Sequence, residues 1–315
     1  MPIDWSRTAF VFPGQASQVV GMGRDFAEAF PVARDTFAEA DEIVAAPLSR
    51  IMFEGSAEEL DDTYNTQPAI YVCSIAILRA LQSIAPQAQP AFTAGHSLGE
   101  LTALTAAGSL TFSDGLRLVR ERGRLMKLAG EEEPGAMAAV IGLDADKVRE
   151  ICAQATERSG HILVLANDNC PGQIVVSGSA HALELAMTLF QEINARAIRL
   201  HVSIAPHSPL MASAQMAFNQ TVERTPFTTP RVPVFANFGG HPLESIETIR
   251  TELEAQLTNP VYWTDVVRNM IAAGAQTFWE IGPKNVLTGL LRRIDRSATG
   301  HAVDTVEAMH RVLSD

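Results

Sequence analysis

Two kinds of apolar pattern share this chain: short apolar stretches closed by turn residues, and longer ones whose apolar positions recur at helical spacing. Thr8–Phe12 (TAFVF) reads as a buried strand stopped by Pro13-Gly14-Gln15. A helix is expected from Met22 to about Glu39, short pieces with an acidic cluster over 47–62, and an apolar central helix from Gln67 to about Ser83. Pro90–Ala94 reads as a short strand; Leu98–Ala107 and Ser113–Leu128 read as helices, the second with Ser113 as its N-cap.

From about 136 to 202 the rhythm changes. Ala136–Leu143, Ile162–Ala166, Gln173–Ser177 and Ala195–Val202 read as strands, and Asp144–Arg158 and Ala180–Ile193 as helices. That order is β-α-β-β-α-β, the ferredoxin-like split unit. It predicts a small subdomain over 133–202, inserted into a larger α/β domain made of 1–132 and 203–315. The larger pattern then resumes: a helix over Ser208–Arg224, a strand over Val232–Ala236, and helices over Ile246–Leu257 and Trp263–Ala273. A strand over Thr277–Ile281 runs into Gly282-Pro283, and a helix over Val286–Asp295 closes the pattern.

Composition narrows the function classes. With 47% hydrophobic and 19% charged residues in 315, the chain can bury a sizeable core. Its formal net charge of −12 argues against a generic nucleic-acid binder. Basic islands remain, at Arg117, Arg120, Arg122, Arg124 and Lys127, and at Arg292, Arg293 and Arg296; they read as solvated helix faces or as docking sites for anions. Three cysteines, with no Cys-x-x-Cys, suggest neither a disulfide framework nor a zinc site, and no metal is expected. The N-terminus lacks a charged-then-apolar leader, and no apolar run approaches the roughly 20 residues of a bilayer span. A cytoplasmic location without membrane association is expected.

The strongest chemical signal is Gly95-His96-Ser97-Leu98-Gly99, which fits G-x-S-x-G between a strand and an alanine-rich helix. Such a turn presents the serine hydroxyl and aims helix N-terminal amides, Leu98 among them, at an oxyanion. A helix-capping turn serine would show the same residues. The hydroxyl needs a base. His161, His181, His241, His301 and His310 fall in polar, loop or terminal contexts, and His96 adjoins the serine on a turn where consecutive side chains point apart. His207, in a loop entering a helix, and His201, at a strand end, remain, with His207 favoured. The Phe12-Pro13-Gly14-Gln15 turn offers the Gln15 amide as a second oxyanion donor.

Taken in order, Phe12–Gln18 (FPGQASQ), Gly95–Glu100 (GHSLGE), Arg122–Met126 (RGRLM), Asn167–Gly178 (NDNCPGQIVVSG), His207–Met211 (HSPLM), Asn259-Pro260-Val261 with Trp263, and Gly282-Pro283 with Val286-Leu287 closely resemble the malonyl-CoA:acyl carrier protein transacylase family over nearly the whole chain. The resemblance implies an α/β fold, with a larger α/β-hydrolase-like domain and an inserted ferredoxin-like subdomain. It implies an acyltransferase of fatty-acid or polyketide synthesis that moves a malonyl or related carboxyacyl group from coenzyme A to the phosphopantetheine thiol of an acyl carrier protein. The transfer would pass through an ester on Ser97, with His207 as base, oriented by a backbone carbonyl near Asn259–Tyr262, and with no bound cofactor. Gln15 and Leu98 would form the oxyanion hole, Arg122 would grip the free carboxylate, and His96, Asn167, Asn169 and Pro206 would line the substrate site. Arg292, Arg293 and Arg296, or the basic helix at 117–127, would meet the acidic carrier.

Three departures stand out: Ala16 and Lys284 where glycine is usual, and Pro206 just before the histidine where a phenylalanine is frequent in malonyl-selective polyketide enzymes. The nearest rival is an acyl hydrolase that clears carrier proteins with water as acceptor. A buried Arg122 cation argues against it. A non-catalytic docking partner would not require the Ser, His and Gln set.

Overall fold

The computed structural model describes residues 3–314; Met1, Pro2 and Asp315, the outer ends of the expected larger domain, lie outside it. In chain order its elements are β1 (Thr8–Phe12), α1 (Arg24–Ala29), α2 (Pro31–Val44), α3 (Leu48–Glu54), α4 (Ala57–Asp61), α5 (Thr63–Ile84), β2 (Phe92–Gly95), α6 (Gly99–Ala106) and α7 (Phe112–Glu132). Next come β3 (Gly135–Ile141), α8 (Ala145–Ser159), β4 (Leu163–Cys170), β5 (Gln173–Ser179), α9 (Ala180–Glu192) and β6 (Arg196–Arg199). The chain ends with α10 (Ala212–Arg224), β7 (Val234–Phe235), β8 (Pro242–Leu243), α11 (Ile246–Leu253), α12 (Trp263–Ala272), β9 (Thr277–Ile281), α13 (Val286–Ile294), β10 (Thr299–Val303) and α14 (Val306–Ser314).

Every residue of β1 is buried, as a central parallel strand requires. Its alternating side chains feed two different cores. Phe10 and Phe12 join Trp279, Ile281 and the buried face of α5, whereas Ala9 and Val11 join Phe278, Trp263, Val267 and Leu291 from β9, α12 and α13. The larger sheet therefore carries helices on both faces. Its order is β10-β9-β1-β2-β7-β8, parallel except for the β7–β8 pair. The smaller sheet, β4-β5-β3-β6, is antiparallel throughout and packs α8 and α9 on one face. The sheets are stitched where β4 meets the segment before α12: Asp168 N–H donates to Val261 O at 2.9 Å, and Val261 N–H to Ala166 O at 2.9 Å.

Several expectations need correction. The helix expected over Met22–Glu39 is two helices, because Phe30 is extended and Pro31 restarts the helix at N1. The N-cap of α7 is Thr111, whose hydroxyl accepts from Asp114 N–H, and not Ser113. The strand expected over Ala195–Val202 pairs only at Arg196–Arg199, and the helix expected at Ser208 begins as a 3-10 turn at Pro209–Met211. β8, β10 and α14 were not expected at all. Helix α5 is long and apolar enough, by length and composition, to cross a membrane, contrary to the expectation that no stretch comes near a span. Its apolar window is 78% buried inside the protein, which makes it the central core helix.

Candidate active site

The site begins at the carboxyl ends of β1 and β2. The Ser97 turn is tight because its glycines leave no room for side chains. A Cβ on Gly95 would lie 1.9 Å from the Gly99 carbonyl, and one on Gly99 would lie 2.2 Å from Phe12 O. Ser97 itself sits at φ +52°, a left-handed conformation that a non-glycine residue adopts only under constraint. The constraint is visible: Ser97 N–H donates to Asn237 Oδ1 at 2.7 Å, and Asn237 Nδ2 donates to Gly95 O at 2.7 Å. The side chain of buried Asn237 thus clamps both sides of the turn. Gly14 lets the loop after β1 lie against it, since a Cβ there would meet His96 O at 2.5 Å.

His207 reaches the serine from the other side of the cleft. Its φ of +59° is fixed by its own N–H donating to Leu257 O at 2.8 Å. Nδ1 lies 3.1 Å from Gln256 O and 3.0 Å from Asn259 O. Two carbonyls accept only, so Nδ1 carries the proton and the Nε2 lone pair faces Ser97 Oγ at 2.8 Å. Of the two histidines, His207 is the one brought to Ser97, whereas His201 is exposed on the connection after β6. The orienting carbonyl expected near Asn259–Tyr262 is a pair, Asn259 and Gln256. Burial first, then the Arg122 charge and His96, push His207 down to about 3, against the two carbonyl hydrogen bonds.

Two pH effects follow. The imidazole is a neutral acceptor throughout the neutral range, so Ser97 acylation is expected to stay flat from pH 8 to about pH 5, where an ordinary imidazole near 6.5 would already be mostly protonated. Stopped-flow measurement of thiol release checks this. Unfolded His207 binds a proton below about 6.5 and the folded one does not, so stability is lost as pH falls from there toward 3.

Arg122 approaches from α7. It is 1% exposed, and every contact of its guanidinium is internal. Nη2 donates to Ser97 Oγ at 3.0 Å, Nε to Gln256 Oε1 at 2.9 Å, and Nη1 to Gln67 Oε1 at 2.8 Å and to Met126 Sδ at 3.2 Å. Burial pulls its pKa down to about 10, and the nearby Glu100 opposes this. A thioether is a weak acceptor, so part of Nη1 is available to a better one. Glu100 lies beneath the turn, accepting from Asn237 N–H at 2.8 Å and from the Gln256 amide. Gln256 also donates to Ser97 O at 3.3 Å. It therefore touches the serine, the histidine, the arginine and the acid at once.

A cavity of about 300 Å³ opens onto Ser97 between the two sheets. Gln15, His96, Asn167, Asn169, Pro206 and His207 all line it. His96 turns away from the serine, with Nε2 2.8 Å from Asn169 Oδ1, as its place on the turn predicts. Leu98 is fully buried, and its amide heads the first turn before α6, where helix amides lack intrahelical acceptors. Much of the remaining wall is apolar, including Met126, Met137, Val175 and Leu200. Ala16 and Lys284, the two departures at usual glycine positions, both hold positive φ, +79° and +64°, and Lys284 Nζ donates to Ala16 O at 3.1 Å. Among the described residues, no cluster of three His, Cys, Asp or Glu stands ready for a metal ion.

The basic islands fare differently. On α7, Arg117 pairs with Asp114, Arg124 with Glu121 and Lys127 with Asp62, while Arg120 donates to Tyr64 and Val44. On α13, Arg293 is tied to Gln173 Oε1 at 2.7 Å and Pro171 O at 2.9 Å, whereas Arg292 and Arg296 are exposed. Residue-by-residue reading missed Gln67, Gln256, Asn237 and Glu100. Only Glu100 left a signal, an acid placed directly after the elbow in an otherwise apolar helix.

Comparison with known proteins places the whole chain. The chain is 43% identical over 309 residues to the malonyl CoA-acyl carrier protein transacylase of Bacillus subtilis (strain 168), spanning 98% of this chain and 96% of that one. Its fold superposes on the crystal structure of malonyl-CoA:acyl carrier protein transacylase (FabD) from Xanthomonas oryzae pv. oryzae with a TM-score of 0.94 and 39% identity, over 100% of this chain and 99% of that one. It also matches the malonyl-transacylase solved in complex with a holo type II PKS acyl-carrier protein, with a TM-score of 0.94 and 39% identity, over 98% and 99%. The family model described as acyl transferase domain matches residues 9–315. By fold, by sequence over nearly its full length and by the family model, this chain belongs to the acyl transferase domain family.

Proposed function

We propose that this chain moves a malonyl group from coenzyme A to the phosphopantetheine thiol of an acyl carrier protein through an ester on Ser97. One observation carries the reading: a buried guanidinium lies 3.0 Å from the hydroxyl of Ser97, the residue onto which a largely apolar cavity opens. A cation held there at the cost of desolvation gains most from an acyl group ending in a carboxylate. The relatives' names point the same way.

In this reading Ser97 Oγ attacks the thioester carbonyl while its proton passes to His207 Nε2. The Gln15 and Leu98 amides receive the oxyanion, the C–S bond breaks, and the CoA sulfur takes the proton from His207. The carrier thiol then gives its proton to His207 and attacks the ester, and Ser97 recovers its hydrogen as it leaves. Arg122 binds the distal carboxylate. His96, Asn169 and Asn167 shape the wall on the side of the small sheet, and Pro206 the wall beside the base. The rival hydrolase acting on uncharged chains would bury the Arg122 cation to no purpose.

The domain reading is part of this proposal: a larger α/β-hydrolase-like unit from 1–132 and 203–315, and a ferredoxin-like unit at 133–202. The antiparallel order β4-β5-β3-β6, with its two helices on one face, supports the latter. A cytoplasmic setting also belongs to it, and three buried free cysteines suit a reducing compartment.

Intact-mass spectrometry after exposure to malonyl-, methylmalonyl- and acetyl-CoA tests the reading. A malonyl adduct on Ser97 is expected to dominate, and an acetyl adduct of equal yield would sink it. For carrier docking, Arg292 and Arg296 remain as candidates, because Arg293 is occupied by the β4–β5 turn. Reversing both charges is expected to raise the carrier KM about tenfold, read against the CoA half-reaction as control. An unchanged carrier KM would remove them from the interface.

A further inference from the structure

Beneath the Ser97 turn two buried carboxyl groups meet. Glu100, on α6, is fully buried, and Glu252, on α11, is 6% exposed. Consecutive backbone amides draw them together: Asn237 N–H donates to Glu100 Oε1 at 2.8 Å and Phe238 N–H donates to Glu252 Oε1 at 2.8 Å. Held on consecutive amides, the two carboxyl groups are close enough for the charge of Glu100 to raise Glu252, a repulsion that one shared proton would relieve. Glu100's other oxygen accepts from Gln256, the residue that holds Arg122, His207 and Ser97 through separate atoms. Glu252 lies four residues before Gln256 on the same stretch of chain, and Glu100 is the acid that touches the Gln256 side chain.

We propose that Glu252 is a positioning residue: by sharing one proton with Glu100 it fixes the Gln256 side chain, and through it the placement of the Arg122 guanidinium beside Ser97. The inference rests on the reading of Ser97 and His207 as nucleophile and base.

The groups facing the pair are few. α7 contributes Arg122, whose charge is felt at Glu100. α10 contributes Gln215, a neutral group that donates to Leu253 O and accepts from Leu257 N–H. On α11 itself, Arg250 turns away, stacking over the Phe227 ring and donating to Thr225 O. The pair thus amounts to one negative charge and one proton opposite one cation. Burial, followed by the charge of Glu100, pushes Glu252 up to about 9, so the shared proton persists through neutral pH and is lost above. Two touching carboxylates then repel, and the bracing of Gln256 is released.

The test is the rate at which a small uncharged fluorophosphonate labels Ser97 in the full chain, from about pH 6 to about pH 9.5, for wild type, Glu252→Gln and Glu252→Ala. The wild-type rate is expected to fall on the alkaline side. Glu252→Gln keeps the amide acceptor for Phe238 and supplies a donor to Glu100 that cannot ionise. It is expected to stay within about threefold of wild type at neutral pH and to lose the alkaline fall, while Glu252→Ala is slowed about tenfold. Arg122 titrates alike in wild type and Glu252→Gln, and cancels in that comparison. An alkaline limb in Glu252→Gln that coincides with wild type overturns the proposal, as does a wild-type rate in Glu252→Ala. If Glu252→Ala fails to fold by circular dichroism, the Glu252→Gln profile decides alone. A wild-type protein whose Ser97 resists the probe at every pH would instead sink the nucleophile reading.

Discussion

Replacing Ser97 with alanine is expected to abolish the acyl adduct in intact-mass spectra and to lower malonyl transfer by about 10⁴-fold or more, with His207→Ala close behind. The size follows from the geometry. Ser97 Oγ is the atom that both Nε2 of His207, at 2.8 Å, and Nη2 of Arg122, at 3.0 Å, address. Without the hydroxyl no ester forms, and without the imidazole no group beside it takes the proton. The two losses should not add, because each removes the same step. A double variant only slightly slower than Ser97→Ala would agree with this; one slower by the product of the two single effects would contradict a shared step.

Arg122→Ala is expected to lower kcat/KM for malonyl-CoA by about 10² to 10³-fold while leaving acetyl-CoA nearer its starting rate, so that the preference between them shrinks or reverses. Removing the guanidinium deletes the partner of the distal carboxylate, which would then be buried without compensation. It also orphans Gln67 Oε1 and Gln256 Oε1, so some loss falls on every substrate. Arg122→Lys separates the two effects. It restores charge without the planar fork, and is expected to recover only part of the malonyl rate. A competition assay with mixed malonyl- and acetyl-CoA reads the ratio directly, and an unchanged ratio in Arg122→Ala would end the carboxylate assignment.

Where local pattern and tertiary demand agree, the sequence was readable. β1, β9 and α13 came out nearly as expected because short apolar runs stopped by Pro-Gly or Gly-Pro leave little choice. The elbow was readable because its glycines answer steric needs within a few residues. β10 was not, because Thr299–Val303 is only partly buried at the sheet edge and carries little apolar signal. The split of the first long helix hinged on Phe30, whose extended backbone is a tertiary outcome. The site divided along the same line. Spacing left both His207 and His201 open, with His207 favoured, since what distinguishes them is the pair of carbonyls from Gln256 and Asn259, some fifty residues further on. Arg122 was one cation in a basic helix until the resemblance singled it out. Gln256 joins four functional groups, yet nothing about an isolated glutamine before Leu257 announces it.

The carbonyl pair behind His207 has a consequence for which acceptor wins. With no acid to stabilise an imidazolium, and a cation alongside, this imidazole is a feeble proton sink. A thiol, near pKa 8.5, surrenders its hydrogen to such a sink far more willingly than water, near 15.7. Ser97 is helped to ionise by the Arg122 N–H on its oxygen, an aid a wandering solvent molecule would not receive. In the proposed mechanism an ester on Ser97 would therefore outlast water yet yield to a sulfhydryl: the timidity of the base would itself be the safeguard against waste.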